Sequence, residues 1–451
     1  MVTVVIIIIL MIGALVFGVR QLLRSAREIE EANKKIQWAE KRHYTLLRIG
    51  VPRNNSRSPL AAEQMFAALH GIYRKSEVLQ DHFSFEIAAT SQSINFFMLV
   101  PTHLRDFIEG QIYSQYPTVE IEATQDYANI DLTGKSVVGA EVSLTKMDYY
   151  PIRTFTNFDV DPLAGITGVL SKIDTGELLA IQAVMTPINE SWQKEGLDYV
   201  KKVKEGKSTA PPPPLWKEFQ KQSTGMLKDV GTSVALGLFG SKKEEKKEEK
   251  KEVKLSGPEE QALKGIESKV TKLGYSTTIR ILAVTSDEQL SETRVQSVAG
   301  AFKQFNLTNL NGFDLGSLVK DDTFLRTYRS RSMGTMFRFN VEEIASVFHF
   351  PDTSVETPNI VWSGSKKGEP PQNLPIEGEV PADELTTFGL TSFRNRRAKF
   401  GIKKEDRRLH FYIIGKTGTG KSTLIENMIY DDVKEGRGLA VVDPHGELVD
   451  H

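Results

Sequence analysis

The feature that most constrains this chain is an uncharged apolar run at its N-terminus. Val2–Val19 contains 18 residues without a charged side chain, and Val4–Leu10 is its unbroken aliphatic centre. As an α-helix the run would span roughly 27 Å, about the thickness of a bilayer hydrocarbon core. A cleaved signal peptide would need a basic start and a small-residue cleavage site, and Phe17–Arg20 is a poor one. The pattern therefore predicts a transmembrane helix over residues 1–19.

Basic residues follow this run directly: Arg20, Arg24, Arg27, Lys34, Lys35, Lys41 and Arg42. Positively charged flanks stay in the cytoplasm, so we expect a single-pass protein of the inner (cytoplasmic) membrane, with its C-terminal body in the cytoplasm. Acidic residues are interspersed among the basic ones. Residues 20–43 are therefore predicted to form a solvated helical stalk.

The amino-acid composition excludes several classes of protein and several kinds of site. The 451 residues suggest about three domains. With 40% hydrophobic and 25% charged residues, a wholly disordered chain and a multi-span membrane protein are excluded. The net charge of −1 gives no global positive field, so a nucleic-acid site would have to be local or arise by oligomerisation. The absence of cysteine excludes disulfides, cysteine nucleophiles and thiolate metal sites.

Residues 44–127 show an alternation of strand and helix patterns. Strand-like alternation occurs near residues 44–51, 83–87, 94–100 and 119–121, and helical spacing follows Ser58–Pro59 and Thr102. The order β-α-β-β-α-β predicts a ferredoxin-like domain. No residue in it stands out as catalytic, so a structural or assembly role is expected.

Residues 137–316 are predicted to form a second α+β domain with the same order of elements. Its first helix is predicted to begin at Asp161–Pro162, a capping residue followed by proline. Residues 189–274 interrupt it and are predicted to be mostly tether. This insertion contains the run Pro211–Pro214, which favours polyproline geometry, and the Lys/Glu repeat Lys242–Lys254.

Residues 324–385 are predicted to be a connecting segment. Within it, Asn340 and Glu343 have the spacing of a capping box for a short helix through Phe348. His349 lies at the end of that helix, where a lone histidine is more often a helix-end partner than a ligand.

The chemistry of the chain is concentrated near its C-terminus. Leu409–Ile414 has the composition of a buried strand and is followed by a G-x-x-x-x-G-K-S sequence that predicts a P-loop. Its backbone N–H groups would converge on phosphate oxygens, with Lys421 on the β- and γ-phosphates and the Ser422 hydroxyl on Mg²⁺. The predicted nucleotide-binding residues are Gly415, Lys416, Thr417, Gly418, Thr419, Gly420, Lys421, Ser422 and Thr423, and the predicted cofactors are ATP and Mg²⁺.

Gly438–Val442 is predicted to be a second strand, and Asp443 follows it. Asp443 could help to position the metal, nucleotide or water, or it could only shape the turn before Pro444. It lies close after the P-loop, where ATPases of the RecA-like type place another strand. We therefore do not assign it as the usual Mg²⁺-supporting carboxylate.

Eight basic residues precede the P-loop strand, opposed only by Glu405 and Asp406. They could face DNA, a neighbouring subunit or water. Few aromatic residues interleave them, which favours a subunit-interface or solvated role over nucleic-acid stacking. They are Arg394, Arg396, Arg397, Lys399, Lys403, Lys404, Arg407 and Arg408.

The sequence from Gly415 to Thr423, followed by VVDPHGEL, resembles the conjugative coupling proteins of type IV secretion, within the FtsK–HerA superfamily of P-loop ATPases. Those proteins commonly have lysine where this chain has His445. The resemblance covers residues 386–450. It implies a homo-hexameric ring that hydrolyses ATP and moves double- or single-stranded DNA, without sequence specificity, toward a membrane channel and its secretion-channel proteins.

The resemblance also sets the expected architecture: an α+β N-terminal region followed by the start of an α/β RecA-like ATPase domain at residues 386–451. Only two strands of that sheet precede the end at His451. We therefore expect an incomplete domain, with the Walker B and arginine-finger residues downstream and weak or no ATP turnover. Two alternatives stay open: a membrane-bound protein-secretion or pilus-assembly ATPase, and a nucleotide-binding scaffold without turnover.

Overall fold

The computed structural model describes residues 43–75, 80–206, 255–364, 369–391, 393, 397–443 and 446. The predicted membrane helix (1–19), almost all of the stalk and the linker 207–254 lie outside these residues. Within the described part of the chain, no helix is long and apolar enough to cross a bilayer. The chain divides into two compact units, one ending at Ser363 and one beginning at Gly364.

The first unit begins with six elements in the order β-α-β-β-α-β. They are β1 (Tyr44–Pro52), α1 (Pro59–Leu69), β2 (Phe83–Thr90), β3 (Ser93–Pro101), α2 (Arg105–Gln115) and β4 (Glu120–Ala123). The strands lie in the order β4-β1-β3-β2, and every neighbouring pair is antiparallel. Helix α1 begins at the proline that the sequence predicts, because proline at the first helical position loses no intrahelical hydrogen bond.

The same order recurs in the second half of the unit, with two additional helices inserted between its second and third strands. Its elements are β5 (Ser136–Leu144), α3 (Pro162–Leu170), β6 (Leu178–Pro187), α4 (Ser191–Lys204), α5 (Gly257–Lys269), β7 (Gly274–Thr285), α6 (Glu288–Phe302) and β8 (Phe313–Leu315). The strands lie in the order β8-β5-β7-β6, again antiparallel. Helix α3 is capped by Asp161, whose carboxylate accepts the Leu163 N–H at 2.8 Å.

The two halves share one sheet rather than forming separate domains. Strands β2 and β6 pair antiparallel over eight residue pairs, from Phe83↔Met185 to Thr90↔Leu178. The result is a ten-stranded, largely antiparallel sheet, which makes this unit α+β. The alternation of apolar residues with Ser84 and Glu86 predicts a half-buried β2 with these two side chains on its solvated face, but both are buried. Pairing β2 with β6 leaves neither strand as an exposed edge.

Helices α1, α2, α3 and α6 cover one face of this sheet. Their apolar side chains, which include Phe66 of α1, form the main core with strand residues such as Phe85 and Ile181. A smaller core lies on the other face and includes Phe97 and Leu282. Gly139 lets the Phe324 ring approach the sheet, because an added Cβ would lie 2.1 Å from that ring.

The segment predicted to be a connection is instead partly integral to this unit. It contributes α7 (Asp322–Ser330), β9 (Phe337–Asn340), α8 (Val341–Val347) and β10 (Trp362–Ser363). Phe324, Leu325 and Tyr328 lie on one face of α7 and pack in the second core. Their helical spacing is the amphipathic pattern that the sequence interpretation overlooked.

The capping box and the histidine behave as predicted. Asn340 and Glu343 satisfy each other's backbone N–H groups at 2.9 and 3.0 Å. The buried His349 ring lies within hydrogen-bonding distance of the Ala345 carbonyl and the Asp161 carboxylate, both at 2.8 Å. It therefore ties the end of α8 to the cap of α3.

The described ends of the insertion are helices rather than tether. Helices α4 and α5 pack together through a third apolar cluster that contains Trp192, Val200 and Ile266. Only residues 207–254, which include both low-complexity runs, remain as a predicted linker.

The second unit contains a hairpin and a helix. Strand β11 (Leu385–Leu390) pairs antiparallel with β12 (Lys399–Lys403), and α9 follows at Lys421–Lys434. The strands predicted at 409–414 and 438–442 do not form: both segments lack strand pairing, and Tyr412, Ile414 and Val442 are more than 80% exposed. A strand needs a neighbour for its backbone groups and for its apolar face, and none of the described residues of this unit provides one.

Candidate phosphate-binding loop

The glycines of the G-x-x-x-x-G-K-S sequence adopt the backbone geometry that a tight loop requires. Gly418 and Gly420 have φ angles of +80° and +86°, which L side chains rarely adopt. At Gly415 the restriction is steric, because an added Cβ would lie 2.5 Å from the Thr419 hydroxyl. The loop therefore depends on glycine at these three positions for different reasons.

Helix α9 begins immediately after Gly420, which is its N-cap and offers no side-chain cap. The first-turn N–H groups at Lys421, Ser422 and Thr423 have no intrahelical acceptor, since the first helical hydrogen bond runs from Leu424 to the Gly420 carbonyl. The first turn also contains no acidic residue. These features leave a positive helix end, which suits an anion.

The loop side chains lie around this helix end. The Lys421 ammonium and the Thr419 hydroxyl both donate to the Lys416 carbonyl, at 2.9 and 2.7 Å. Ser422 is exposed, so its hydroxyl is accessible to a metal ion. The nine predicted nucleotide-binding residues thus form one continuous turn and helix start. This donor set fits a phosphate chain, with a hydroxyl placed for Mg²⁺.

Asp443 lies half-buried in the segment that follows α9, and its metal role stays a prediction. His445 and Glu447, which belong to the family resemblance, lie outside the described residues. Among the described residues, no group of three or more acidic or histidine side chains has an arrangement that could hold a metal ion. Ser422 is the loop residue whose hydroxyl could contact a metal ion that the nucleotide's phosphates hold.

The eight basic residues before the loop have different environments. Arg407 forms a two-point ion pair with Asp432 of α9 and is one-fifth exposed. Lys399 lies 3.4 Å from Glu377, and Arg397, Lys404 and Arg408 are exposed. Arg394 and Arg396 lie outside the described residues. At least one of the eight is therefore an internal structural group.

The contacts of Asp432 are the feature of this unit that sequence reasoning missed. Arg407 and Arg437 both contact its carboxylate, and both donate to the Thr386 hydroxyl of β11 at 3.0 Å. The hydrogen bond from Arg407 holds the pKa of Asp432 below its usual range, despite partial burial. A signal was present, because Asp431 and Asp432 stand in the last turn of α9, where the helix dipole disfavours anions. Two carboxylates at this end of a helix indicate that basic side chains lie close to them.

The loop and helix have the residues of the P-loop class of nucleotide-binding proteins. Residues 390–450 match the family described as the central domain of the helicase HerA. This match gives coarse support to the FtsK–HerA superfamily, with its general ATP-binding and ATPase character, and such a domain would imply the use of nucleotide and Mg²⁺.

The larger match lies in the first unit. The chain belongs to the family described as domain of unknown function DUF8128, which matches residues 19–363 and so more than half of the chain. A comparison with curated proteins gave no match.

Proposed function

We propose that this protein is a membrane-anchored, ATP-dependent DNA-translocating motor related to the coupling proteins of conjugation and type IV secretion. The observation that carries the proposal is the complete G-x-x-x-x-G-K-S loop, with both left-handed glycines and a helix that starts at Lys421. The HerA match over the same segment supports it. The large antiparallel sheet of the first unit would act in assembly.

In this proposal each residue of the loop has one task. The N–H groups at Lys421–Thr423 bind phosphate oxygens, the Lys421 ammonium neutralises charge on the β- and γ-phosphates, and Ser422 binds Mg²⁺. ATP supplies the phosphoryl group whose transfer to water drives movement. The chain's own contribution at this loop is to bind and orient the phosphates in a fixed array of donors.

DNA is proposed as the substrate because the matched domain is named for a helicase. The working form would be a homo-hexameric ring, as the resemblance to the coupling proteins implies. A net charge of −1 gives a single chain no general attraction to DNA, so DNA would be bound at a local basic site or at one that the ring forms. Duplex DNA is expected to stimulate ATP hydrolysis by the intact protein. Hydrolysis that does not respond to duplex or single-stranded DNA would instead favour a protein-secretion or pilus-assembly ATPase, and nucleotide binding without turnover would favour a scaffold.

Lys421→Ala tests the phosphate-binding assignment. A hydrogen bond to a charged group is worth about 1.5–3 kcal/mol, so ATP–Mg²⁺ should bind roughly 10- to 150-fold more weakly. A fluorescent ATP analogue titrated into the detergent-solubilised chain measures this affinity. Lys434→Ala is the matched control, because Lys434 is exposed at the opposite end of the same helix. Equal affinities for Lys421→Ala and the unmodified protein would refute the assignment.

Membrane anchoring through residues 1–19 is the second part of the proposal. Deleting these residues should move the protein from the membrane pellet to the soluble fraction, because the longest apolar run of the chain is lost. Protease added to sealed spheroplasts should leave the body intact if it is cytoplasmic. Digestion of the body in sealed spheroplasts would reverse the proposed topology.

A further inference from the structure

The hairpin β11–β12 contacts the chain on both sides of the phosphate-binding loop. Before the loop, the Phe411 ring lies 6.1 Å from the Phe388 ring of β11. After the loop, in the last turn of α9, Asp432 is held at two points by Arg407 from the turn beyond β12. The Thr386 hydroxyl of β11 accepts hydrogen bonds from Arg407 and Arg437, and so connects both arginines to the strand. The loop and its helix are therefore held between two contacts with one hairpin.

Helix stability does not account for the second contact. Asp432 is the one buried residue of α9 among those described, although the other residues of the helix include several aliphatic side chains. A carboxylate in the last helical turn opposes the macrodipole, at a cost of about 0.3–1 kcal/mol. Alanine at this position would thus make a better isolated helix. Aspartate instead forms a two-point ion pair with Arg407. Such a pair fixes the orientation of the two side chains as well as the distance between them.

We propose that Arg407 is a positioning residue of the nucleotide site, which acts through Asp432 to hold α9 at the angle that its phosphate-binding end requires. This inference rests on the proposed nucleotide-binding function. Helix α9 has 14 residues and spans about 21 Å, and it is stiff over that length. Releasing its C-terminal end therefore changes the direction of the N–H groups and of Lys421 at its N-terminal end.

Arg407→Ala should weaken binding of ATP–Mg²⁺ roughly 10-fold, because a misdirected helix end loses about one hydrogen bond to a charged phosphate oxygen. Binding of AMP, which lacks the β- and γ-phosphates that Lys421 would contact, should change less than about 2-fold. The ratio of ATP affinity to AMP affinity is the readout, measured by competition with a fluorescent analogue on the full chain. Lys399→Ala is the control, since Lys399 is an exposed residue that contacts Glu377 on the hairpin side and not α9.

Two further variants keep the test decisive. Asp432→Asn should weaken ATP binding similarly, and adding it to Arg407→Ala should cause little further loss, because both changes break one link. Arg407→Lys should keep the fold and should weaken ATP binding by about half as much as Arg407→Ala on a logarithmic scale. Lysine keeps the charge but lacks the two parallel donors of the guanidinium.

An unchanged ratio of ATP to AMP affinity in Arg407→Ala would overturn the inference, as would an equal loss for both nucleotides. If Arg407→Ala does not fold, unchanged ATP affinity in Arg407→Lys and Asp432→Asn would overturn it. Lys421→Ala is measured in parallel. Loss of ATP binding in Lys421→Ala without loss in Arg407→Ala rejects the positioning role alone, whereas no effect in either variant rejects the proposed function as well.

Discussion

Replacing Arg331 by methionine is expected to lower the free energy of unfolding of the first unit by about 3–5 kcal/mol, the usual cost of removing one partner from a buried ion pair. The Arg331 side chain is 3% exposed and lies between the carboxylates of Glu86 and Asp126. Methionine retains much of its apolar volume but none of its charge. Glu86, which is fully buried, would then lose its cation.

The surroundings of Arg331 explain the size of this effect. Its guanidinium donates to both Glu86 oxygens at 3.1 and 3.2 Å, and the Tyr127 hydroxyl donates to the same carboxylate at 2.6 Å. Burial alone would raise the pKa of Asp126, but its hydrogen bonds with Arg331 outweigh burial and leave that pKa below the usual range. The stability that this carboxylate contributes should therefore decrease as the pH falls through its depressed pKa.

Chemical denaturation of Arg331→Met, monitored by far-UV circular dichroism, measures the loss. The matched control is Arg48→Met, whose ion pair with Glu122 lies on the surface and should be worth less than about 1 kcal/mol. Similar losses in the two variants would contradict the assignment of Arg331 to a buried cluster. Glu86→Gln combined with Arg331→Met should cost less than the sum of the two single changes, because they remove one shared interaction.

Lys269→Met is expected to cause a loss of similar size that depends on pH. Lys269 and Glu343 are both fully buried, with the ammonium 2.9 Å from the carboxylate. Burial raises the pKa of Glu343, and its hydrogen bonds with Lys269, Asn340 and Ile152 only partly offset this. A carboxyl group whose pKa is raised by folding binds more protons in the folded state, so its contribution to stability falls as the pH rises through that pKa.

Removing the Lys269 ammonium should raise the pKa of Glu343 further. The expected loss is about 3–5 kcal/mol at pH 7.5, where an unpaired carboxylate would be buried. It should be smaller near pH 5, where Glu343 can become protonated in the variant. Urea titrations at the two pH values measure this difference, with Lys204→Met as the control because Lys204 forms an exposed pair with Glu267. A loss that is constant between the two pH values would show that the effect comes from packing.

Local signals in the sequence located many element boundaries correctly. The starts of α1 at Pro59 and α3 at Pro162 were predicted from a capping residue followed by proline, and the capping box of α8 from the pair Asn340 and Glu343. These signals work because the atoms concerned are at most four residues apart. The turn at Gly415–Gly420 and the helix that starts at Lys421 also form where the sequence predicts them, because they are contiguous, whereas phosphate binding there stays a prediction.

Two of the assignments that failed depended on distant residues. Glu86 appeared to mark a solvated strand face, yet it is buried because Arg331 and Gln182 come from other parts of the chain to bind it. Residues 409–414 have the composition of a strand but form none, because composition does not provide the neighbouring strand that a ladder needs.

The sequence by itself determined the starts of α1 and α3, the strand positions in the first half of the first unit and the turn at Gly415–Ser422, because each depends on propensities and hydrogen bonds within a few residues. Only the tertiary structure decided that β2 and β6 join the two halves into one sheet, that α7 covers its second face, and that Arg407 reaches Asp432. In each case the local sequence is compatible with several strand edges, sheet faces or ion-pair partners. The choice is made by the burial of apolar surface and the pairing of buried charge, which no short stretch of sequence contains.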